Sequence, residues 1–548
     1  MKKYSIGVDY GTLSARAALI DLSNGAEVCV CEYTYPHAIL CGSDISNETS
    51  AESLAMQLQH PADYLEALEH TVKKVVSDSG ISPNDVVGIG FDFTACTMLP
   101  ITSDGTPLCF LEKYKNEPHA YVKLWKHHGA QAEADEITSL AQKEGEEWLD
   151  IYGGKVSSEW LFPKIYETLH KAPGVFDDAY RFIEAGDWIV LMLTGEESHS
   201  SCMAGYKGLW NKENGYPKNS FWAKLDSRLS DIVGTKISEN ILPTGTKAGV
   251  LCDRGSALTG LAKDTAVAVP IIDAHAALPA AGITTAGKLM IIIGTSSCHI
   301  VMSENAGNIP DICGSVQDGV IAGLCAHEAG QGCVGDSFDW FIKNCVPESY
   351  AKEARDKNIS IFSLLDEKAA ALSVGESGVI ALDWFNGNRT PYSDADLSGM
   401  IVGLTLNTKP EDIYRAILES TAFGTKSIVD IYEKNGVCID EVYAAGGISR
   451  KNAFLMQMYA DVLGKRIKVT SSSQAAAKGS AIFASVAGGY FESASEAANV
   501  LADGIEKTYL PNPENMEKYQ KLYECYHALS EHFAKSSGIM KALKSKEA

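Results

Sequence analysis

The same short turn occurs twice in this chain, each time between two apolar segments. Residues 11–14 (GTLS) separate 4–9 (YSIGVD) from 15–21 (ARAALID), and residues 294–297 (GTSS) separate 288–293 (KLMIII) from 298–303 (CHIVMS). Apolar segments of this length on either side of a Gly-containing turn predict β-hairpins. The turns lie 283 residues apart, about half of the 548-residue chain. This spacing favours two related lobes, each containing such a hairpin.

The rest of the first half predicts further strands and helices. A third strand is expected at 26–34, and the runs VVGIGFDF (86–93) and AVAVPII (266–272) predict buried strands. Apolar residues at helical spacing predict helices over 62–79 and 179–194.

The second half continues with strands and helices. Thr408 and Glu411 form a predicted capping box for a helix that ends before Gly436. A strand is expected at 441–445, followed by a helix capped by Ser449. We expect a further strand at 466–470, a helix at 474–487 and a last amphipathic helix after Pro513. Strands followed by helices, twice over, predict an α/β fold with mixed sheets.

Composition excludes several classes of protein. The net charge of −23 argues against general binding to nucleic acid or to an anionic membrane. No run of about 18 uncharged apolar residues predicts a membrane span, and Asp9 interrupts the apolar stretch that a signal peptide would need. The 14 cysteines include no CxxC pair, so we expect reduced thiols and a cytoplasmic protein.

Two common nucleotide-binding motifs match only in part. Residues 282–288 (GITTAGK) fit the start of a P-loop, but Leu289 stands where a hydroxyl is needed for Mg²⁺. Residues 330–335 (GQGCVG) fit GxGxxG, but residues 345–358 do not predict the second strand with an acidic end that a dinucleotide fold requires. Neither motif is therefore assigned.

The two hairpin turns offer a different way to bind phosphate. A tight turn rich in Gly, Thr and Ser leaves backbone N–H groups and hydroxyls directed outward, and these bind phosphate oxygens. Asp9, just before the first turn, can hold Mg²⁺ through water. Considered singly, each could also be an ordinary hairpin turn.

Six segments resemble known families. IGVDYGTLSARAALID, IIIGTSSCHIVM and YAAGGISRKNAFLMQMYADVLG resemble the first phosphate, second phosphate and adenosine motifs of the superfamily of sugar kinases, actin and heat-shock chaperones. IIDAHAALPAAG, HEAGQGCVGDSFDWF and GLTLNTKPEDIYRAILESTAFGTKSIVD resemble the FGGY carbohydrate kinases within it. These motifs run from residue 4 to about 490.

The resemblance implies an architecture. It implies two ribonuclease H-like (actin-like ATPase) lobes, with mixed sheets flanked by helices and an active-site cleft between the lobes. The N-terminal lobe would span 1–280 and the C-terminal lobe 281–510, followed by a helical extension at 511–548.

It also implies an activity. The segments GFDFTACTMLPITSDGTPL, LWKHHGAQAEADEI and SSCMAGYKGLWN resemble the branch that uses ATP and Mg²⁺ to phosphorylate O5 of L-ribulose in L-arabinose breakdown. The alternatives are D-ribulose, ribitol or xylulose as acceptor, or a non-sugar ATPase of the same fold. The implied partners are a small sugar and ATP, with no nucleic acid and no membrane, and a homo-oligomer is left open.

The family motifs carry residue roles to this sequence. Asp273 would be the catalytic base and, with Asp9, would hold the metal. The roles implied for the other residues are phosphate binding by Gly11, Thr12, Ser14 and Arg16 and by Gly294, Thr295 and Ser296; adenine binding by Gly446, Gly447 and Asn452; and sugar binding by Ala95 or Cys96, Trp125, Lys207, Asp273 and Glu328.

Structural alternatives stay open for several of them. Asp273 could cap a helix, and Asn452 could do the same. Arg16 could pair with a neighbour in the sheet, Lys207 could be a surface lysine, and Trp125 could be a core residue. The sequence also departs from the family at 125–128 (WKHH), where an Asp is usual, and this leaves the hydrogen bonding to the sugar in doubt there.

Overall fold

Two seven-stranded sheets organise the computed structural model, which describes residues 2–305, 307, 309–472 and 474–544. The strands up to residue 280 are β1 (Tyr4–Tyr10), β2 (Ser14–Asp21), β3 (Glu27–Thr34), β4 (Leu58–Gln59), β5 (Val86–Phe93), β6 (Met98–Ile101), β7 (Val122–Lys123), β8 (Arg181–Glu184), β9 (His199–Ser200), β10 (Ile241–Leu242), β11 (Lys247–Val250), β12 (Ala266–Ala268) and β13 (Ile271–Ile272). The later strands are β14 (Lys288–Ile293), β15 (Ser297–Ser303), β16 (Gly314–Gln317), β17 (Cys325–Gln331), β18 (Ile380–Leu382), β19 (Met400–Val402), β20 (Glu441–Ala445), β21 (Ile467–Thr470) and β22 (Ile505–Tyr509).

Helices flank these sheets. Those up to residue 280 are α1 (Gly42–Ser46), α2 (Ala51–Ala55), α3 (Pro61–Ser79), α4 (Gln131–Glu144), α5 (Leu161–Lys171), α6 (Pro173–Asp178), α7 (Ala185–Thr194), α8 (Ser201–Lys207), α9 (Asn219–Leu225), α10 (Ile232–Thr235), α11 (Asp253–Thr259) and α12 (Asp273–Ala280). The later ones are α13 (Gly335–Cys345), α14 (Glu348–Asp356), α15 (Ile361–Ala370), α16 (Pro410–Lys434), α17 (Gly447–Lys451), α18 (Ala453–Leu463), α19 (Ala475–Ala487), α20 (Ala494–Leu501), α21 (Pro513–Glu531) and α22 (Ile539–Lys544).

The two large sheets share one pattern of strand pairing. The first has the order β11-β12-β5-β1-β2-β3, with β13 beside β5, and the second has the order β16-β17-β15-β14-β20-β21-β22. In each, an antiparallel hairpin (β1–β2 or β14–β15) pairs through its first strand with a parallel neighbour (β5 or β20). Both predicted hairpins, and the mixed α/β character, are therefore confirmed.

The first half also contains a smaller unit. Strands β4, β7, β6 and β8 form a four-stranded sheet. Their neighbouring helices α4, α5 and α9 build a separate apolar core around Phe162 and Trp222, whose rings stack at 4.0 Å. The sequence analysis did not separate this unit from the first lobe.

One helix of the second half packs against the first sheet. Helix α19 lies on β1 and β5. Glycines permit this close approach, because a Cβ built on Gly7 would lie 1.7 Å from the carbonyl oxygen of Ala477, and one on Gly479 would lie 1.8 Å from that of Ala276. The two halves of the chain thus share an apolar interior.

Several local predictions were wrong. Residues 181–184 form β8 ahead of α7, so the predicted helix over 179–194 is only partly helical. The predicted strand 266–272 divides into β12 and β13 on either side of Pro270, which lacks an N–H for a sheet. Helix α16 begins one residue later than predicted, after Lys409, whose N–H donates to the Asp412 carboxylate at 2.8 Å, so the predicted Thr408–Glu411 capping box is not formed. Asn452, rather than Ser449, caps α18.

Candidate active site

The first hairpin turn follows the carboxyl end of β1. The N–H of Gly11 donates to the carbonyl of Ser14 at 3.0 Å, which closes the turn. The indole Nε1 of Trp125 donates to Thr12 Oγ1 at 3.1 Å, and the amide of Gln59 donates to the Thr12 carbonyl at 2.7 Å. Trp125 therefore supports the turn that would bind phosphate, and it is half-buried rather than a core residue.

Arg16 pairs with its neighbours in the sheet. Its Nη2 donates to Glu32 at 3.0 Å, and its Nη1 lies 3.7 Å from Asp9 Oδ2. The hydroxyl of Ser14 donates to the same Glu32 carboxylate at 2.8 Å. Glu32 thus accepts hydrogen bonds from both Ser14 and Arg16, the two side chains near this turn that were predicted to bind phosphate. For Arg16 this favours the alternative of pairing with a neighbour in the sheet.

Asp9 lies beside a second buried carboxyl group. Asp9 and Asp92 are paired in register on the parallel strands β1 and β5. Burial, with the charge of Asp9, raises the pKa of Asp92 well above its ordinary value, and Ser480 donates to Asp92 at 2.7 Å. Burial raises the pKa of Asp9 as well, while a hydrogen bond from Asp92 and the charge of Arg16 oppose this. Asp92 was not singled out from the sequence, because an Asp within an apolar strand has no distinctive spacing.

Asp273 is the first residue of α12. It is half-buried, and its Oδ1 accepts the N–H of Ala274 at 2.6 Å. Burial and the negative charge of Asp9 raise its pKa to about 7, against the backbone hydrogen bond and Lys207. A carboxyl group with such a pKa suits proton abstraction near neutral pH.

Lys207 and Glu328 join the two halves of the chain at this point. Lys207 ends α8, and its Nζ lies 3.5 Å from Glu328 Oε1 on β17. His275, two residues after the start of α12, brings its Nε2 to 3.3 Å from Glu328 Oε2. Burial would raise the pKa of Glu328, but Lys207 and His275 outweigh it and hold that pKa well below its ordinary value. Lys207 is therefore not a surface lysine.

The predicted sugar contacts at Ala95 and Cys96 lie at a sharp bend after β5. Cys96 is buried with φ 52°, and Ala95 is half-buried. The fully buried Lys164 donates from Nζ to the carbonyls of Cys96 (2.7 Å) and Leu124 (2.9 Å). One side chain thus fixes the two segments that carry Cys96 and Trp125, and sequence reasoning missed it.

The segment 125–128, which departs from the family, contains a buried histidine. His127 is fully buried, and its Nε2 lies 2.9 Å from Glu167 Oε2. Glu167 also accepts a hydrogen bond of 2.5 Å from Lys123. Burial and the nearby lysines lower the pKa of His127, although Glu167 opposes them. His127 is therefore engaged in the interior of the smaller unit.

The second hairpin turn lies next to the predicted adenosine motif. Thr295 is exposed, and its carbonyl accepts the N–H of Val334 at 2.7 Å. A Cβ on Gly446, which has φ 100°, would lie 2.3 Å from the carbonyl oxygen of Ile293 at the end of β14. Glycine is therefore required for β20 to turn so close to β14. Gly294 and Ser296 are half-buried and Gly447 is exposed at this edge.

Asn452 has partners of its own. Its Oδ1 accepts the N–H of Leu455 at 2.8 Å, which caps α18, and its Nδ2 donates to Asp366 at 3.0 Å. The structure thus favours the cap that was the alternative to adenine binding.

Two places among the described residues could hold a cation. Among the described residues, one group of three ligand atoms lies within 4.8 Å of one another, at His37, His60 and Asp63, outside the candidate site. Near the first turn, Asp9 provides carboxylate oxygens of the kind that Mg²⁺ prefers, and Mg²⁺ usually retains several waters. The donor set of Asp9 therefore fits Mg²⁺.

Comparisons with known proteins decide the family. Models of the N-terminal and C-terminal domains of the FGGY family of carbohydrate kinases match residues 4–279 and 289–488. The chain belongs to the FGGY family of carbohydrate kinases. It is accordingly a carbohydrate kinase, and the family implies a small sugar and ATP as its substrates.

Curated relatives extend over nearly the whole chain. A protein of Bacillus licheniformis named ribulokinase is 47% identical over 538 residues, covering 97% of this chain and 97% of that one. The ribulokinase of Halalkalibacterium halodurans is 47% identical, with 99% and 97% covered, and that of Mycolicibacterium smegmatis is 42% identical, with 99% and 96% covered.

Solved structures confirm the predicted fold of an FGGY kinase with two actin-like lobes. The xylulose kinase of Rhodospirillum rubrum superposes with a TM-score of 0.79 at 22% identity, covering 96% of this chain and 98% of that one. The glycerol kinase of Plasmodium falciparum with ADP has a TM-score of 0.75 at 17% identity, with 96% and 98% covered. At these identities the likeness shows the fold alone. None of the helices in the described part of the chain has both the length and the apolar character that crossing a membrane requires.

Proposed function

We propose that this FGGY kinase transfers the γ-phosphoryl group of ATP to O5 of L-ribulose, the step that leads L-arabinose into breakdown. The observation that carries the proposal is the position of Asp273. Its carboxyl group, with a pKa of about 7, lies within the electrostatic influence of Asp9, Glu328 and Lys207, and the last two form an ion pair. The ribulokinase name of relatives at 42–47% identity over the full chain supports the choice of sugar.

The reaction needs a base at the acceptor hydroxyl. Asp273 accepts the proton of the O5 hydroxyl as O5 forms its bond to the γ-phosphorus, and the bond from that phosphorus to the β,γ-bridging oxygen breaks to release ADP. Lys207 is a hydrogen-bond donor and Glu328 an acceptor, so together they orient the sugar hydroxyls.

The two hairpin turns hold the phosphates in this proposal. Their backbone N–H groups, with the hydroxyls of Thr12, Thr295 and Ser296, donate to phosphate oxygens. Asp9 would hold Mg²⁺, and the bound ion would supply positive charge at the phosphates. Closure of the lobes would exclude water that could otherwise accept the phosphoryl group.

The proposal also covers features that the fold leaves open. We retain the division into an N-terminal lobe (1–280), a C-terminal lobe (281–510) and a helical extension (511–548), although α19 of the C-terminal lobe packs against β1 and β5 of the N-terminal lobe. All 14 cysteines have free thiols, which is consistent with the proposed cytoplasmic location. Sedimentation velocity would decide between a monomer and a homo-oligomer.

The test is ADP release with Mg²⁺-ATP and a panel of acceptors: L-ribulose, D-ribulose, D-xylulose, ribitol, glycerol and no sugar. Release that depends on L-ribulose and disappears in Asp273→Asn is the expected result. Asp273-dependent release with another polyol would retain the kinase and change the substrate. Release without any sugar would contradict the proposal and favour a non-sugar ATPase.

A further inference from the structure

Arg389 lies next to Glu328 because a side chain is missing between them. Glu328 and Gly330 are two residues apart on β17, so their Cα–Cβ directions share one face of the sheet. A Cβ built on Gly330 would lie 3.2 Å from Cδ and 3.5 Å from Nη1 of Arg389. The guanidinium therefore covers the space beside Glu328 that any larger residue at 330 would fill.

The backbone around Arg389 is anchored to this strand. The N–H of Gly330 donates to Thr390 Oγ1 at 3.3 Å. Asn388 and Asp394 exchange backbone hydrogen bonds of 2.9 and 2.8 Å, which close the loop between them. The position of Arg389 beside β17 is thus held by the fold.

The guanidinium has no bonded partner among the residues that the structure describes. Within the described ranges, no acceptor takes a hydrogen bond from its nitrogens and no carboxylate lies within ion-pairing distance of them, and the residue is exposed. Arg16 and Lys207, the other cations of the site, are both paired. Arginine carries five N–H donors and no acceptor, so Arg389 has donors available for an incoming ligand.

Its neighbours place it on the sugar side of the site. The carboxylates of Glu159 and Glu328 act on its charge, whereas Asp273 responds to Asp9, Glu328 and Lys207. The loop of Arg389 also contacts the segment that contains Glu159, since Lys155 Nζ donates to the Ser393 carbonyl at 3.1 Å. Arg389 therefore belongs to the same cluster of charges as Glu328 and Lys207.

We propose that Arg389 binds the acceptor sugar beside Glu328, donating to its keto oxygen. A carbonyl oxygen only accepts hydrogen bonds, and it matches a group that only donates. A pentitol carries a hydroxyl at that position instead, so Arg389 would favour a ketopentose. This inference rests on the proposed sugar kinase activity and names a further residue of the same site.

The test compares Arg389→Gln and Arg389→Lys with the parent enzyme. Lys73→Gln is the matched control, since it removes a positive charge from the exposed surface of α3, where Lys73 pairs with Glu69 outside the site. Measurements are the Kd for L-ribulose without nucleotide, KM for L-ribulose and for ATP, kcat, and the ratio of kcat/KM for L-ribulose to that for ribitol. Circular dichroism and thermal melting would verify that each variant is folded.

The expected result is a Kd and KM for L-ribulose raised about 10–100-fold in Arg389→Gln, as for loss of a hydrogen bond from a charged donor. KM for ATP should stay within about twofold, and the preference for L-ribulose over ribitol should fall. Arg389→Lys should retain part of the affinity, and Lys73→Gln should match the parent. An unchanged Kd for L-ribulose with a raised KM for ATP would overturn the inference and assign Arg389 to the nucleotide, and no change at all would overturn it as well. Failure of the proposed function would instead appear as a parent enzyme that does not phosphorylate L-ribulose.

Discussion

Lys207 and Glu328 form an ion pair of 3.5 Å between Nζ and Oε1, although 121 residues separate them and they come from different large lobes. Lys207 ends a helix of the first half, and Glu328 lies within a strand of the second sheet. Both side chains are largely withdrawn from solvent, with 15% and 9% of their surface exposed. Removing one partner therefore leaves the other charge poorly solvated and unpaired.

This pair gives a first prediction. Glu328→Gln and Lys207→Met should each raise KM for the sugar by about 10-fold or more, because each loses a charged hydrogen-bonding group. The double variant should lose less than the sum of the two, since it leaves no unpaired charge. The sugar affinity of the parent, the two single variants and the double variant would test this coupling. Losses of binding free energy that simply add in the double variant would show that the two residues act independently.

The pKa of Asp273 sets the expected pH dependence. The base must be ionised to accept a proton, so kcat/KM should fall with a slope of one below about pH 7, as its pKa of about 7 implies. Asp273→Asn should lower kcat by about 10²–10⁴-fold and abolish this limb. A pH–rate profile between pH 5 and 9 measures both. A profile of the parent that is flat down to pH 5 would contradict the assignment.

The same carboxyl group should make the protein less stable at alkaline pH. Its pKa rises from 3.8 to about 7 on folding, so folding favours the protonated form. That contribution is complete below about pH 4 and is lost as the pH rises through 7. Asp273→Asn, which carries no charge, should therefore be more resistant to heat than the parent at pH 8 and should lose most of this advantage at pH 5. Differential scanning fluorimetry at the two pH values would measure it, and an equal difference at both would count against the raised pKa.

Lys164 is predicted to position the sugar-binding segments. Its ammonium group holds the carbonyls of Cys96 and Leu124, so Lys164→Met should release both segments while leaving Asp273 in place. We expect KM for the sugar to rise about 10-fold or more, with KM for ATP unchanged. Lys164→Arg should recover part of the affinity, since it retains donors and charge. A variant whose melting temperature falls while its sugar KM is unaltered would show a role in stability only.

The contact of α19 with the first sheet gives a prediction about stability. Gly7→Ala would bring a methyl group 1.7 Å from the Ala477 carbonyl oxygen, so the helix must move away from β1. We expect a loss of about 1–3 kcal/mol or more, as for overpacking in an interior. Gly174→Ala is the control, because the nearest atom to its Cβ would be the Tyr114 hydroxyl at 3.5 Å, an ordinary contact. Similar melting temperatures for the two variants would show that α19 adapts without cost.

Local patterns account for the parts of the fold that were predicted correctly. Alternating or continuous apolar residues around the turns 11–14 and 294–297 specify hairpins, because these preferences act between residues close in the chain. Helix 61–79 begins at Pro61 and ends at Gly80 in the left-handed conformation, as such residues favour. The prediction was wrong at 181–184, where the short strand β8 directly precedes α7. It was also wrong at Pro270, where a proline interrupts a strand.

The sequence by itself determined the two hairpins, the α/β class and, through its motifs, the family and the choice of Asp9, Asp273, Lys207 and Glu328. Only the tertiary structure decided which side chains meet: Asp92 beside Asp9, Glu32 on Arg16, and Arg389 beside Glu328 across Gly330. Two of these contacts join residues far apart in the chain, and the third, Arg16 with Glu32, depends on the register of β2 against β3. Because such pairs depend on the register of the sheets and the packing of the lobes, no periodicity or spacing along the sequence encodes them.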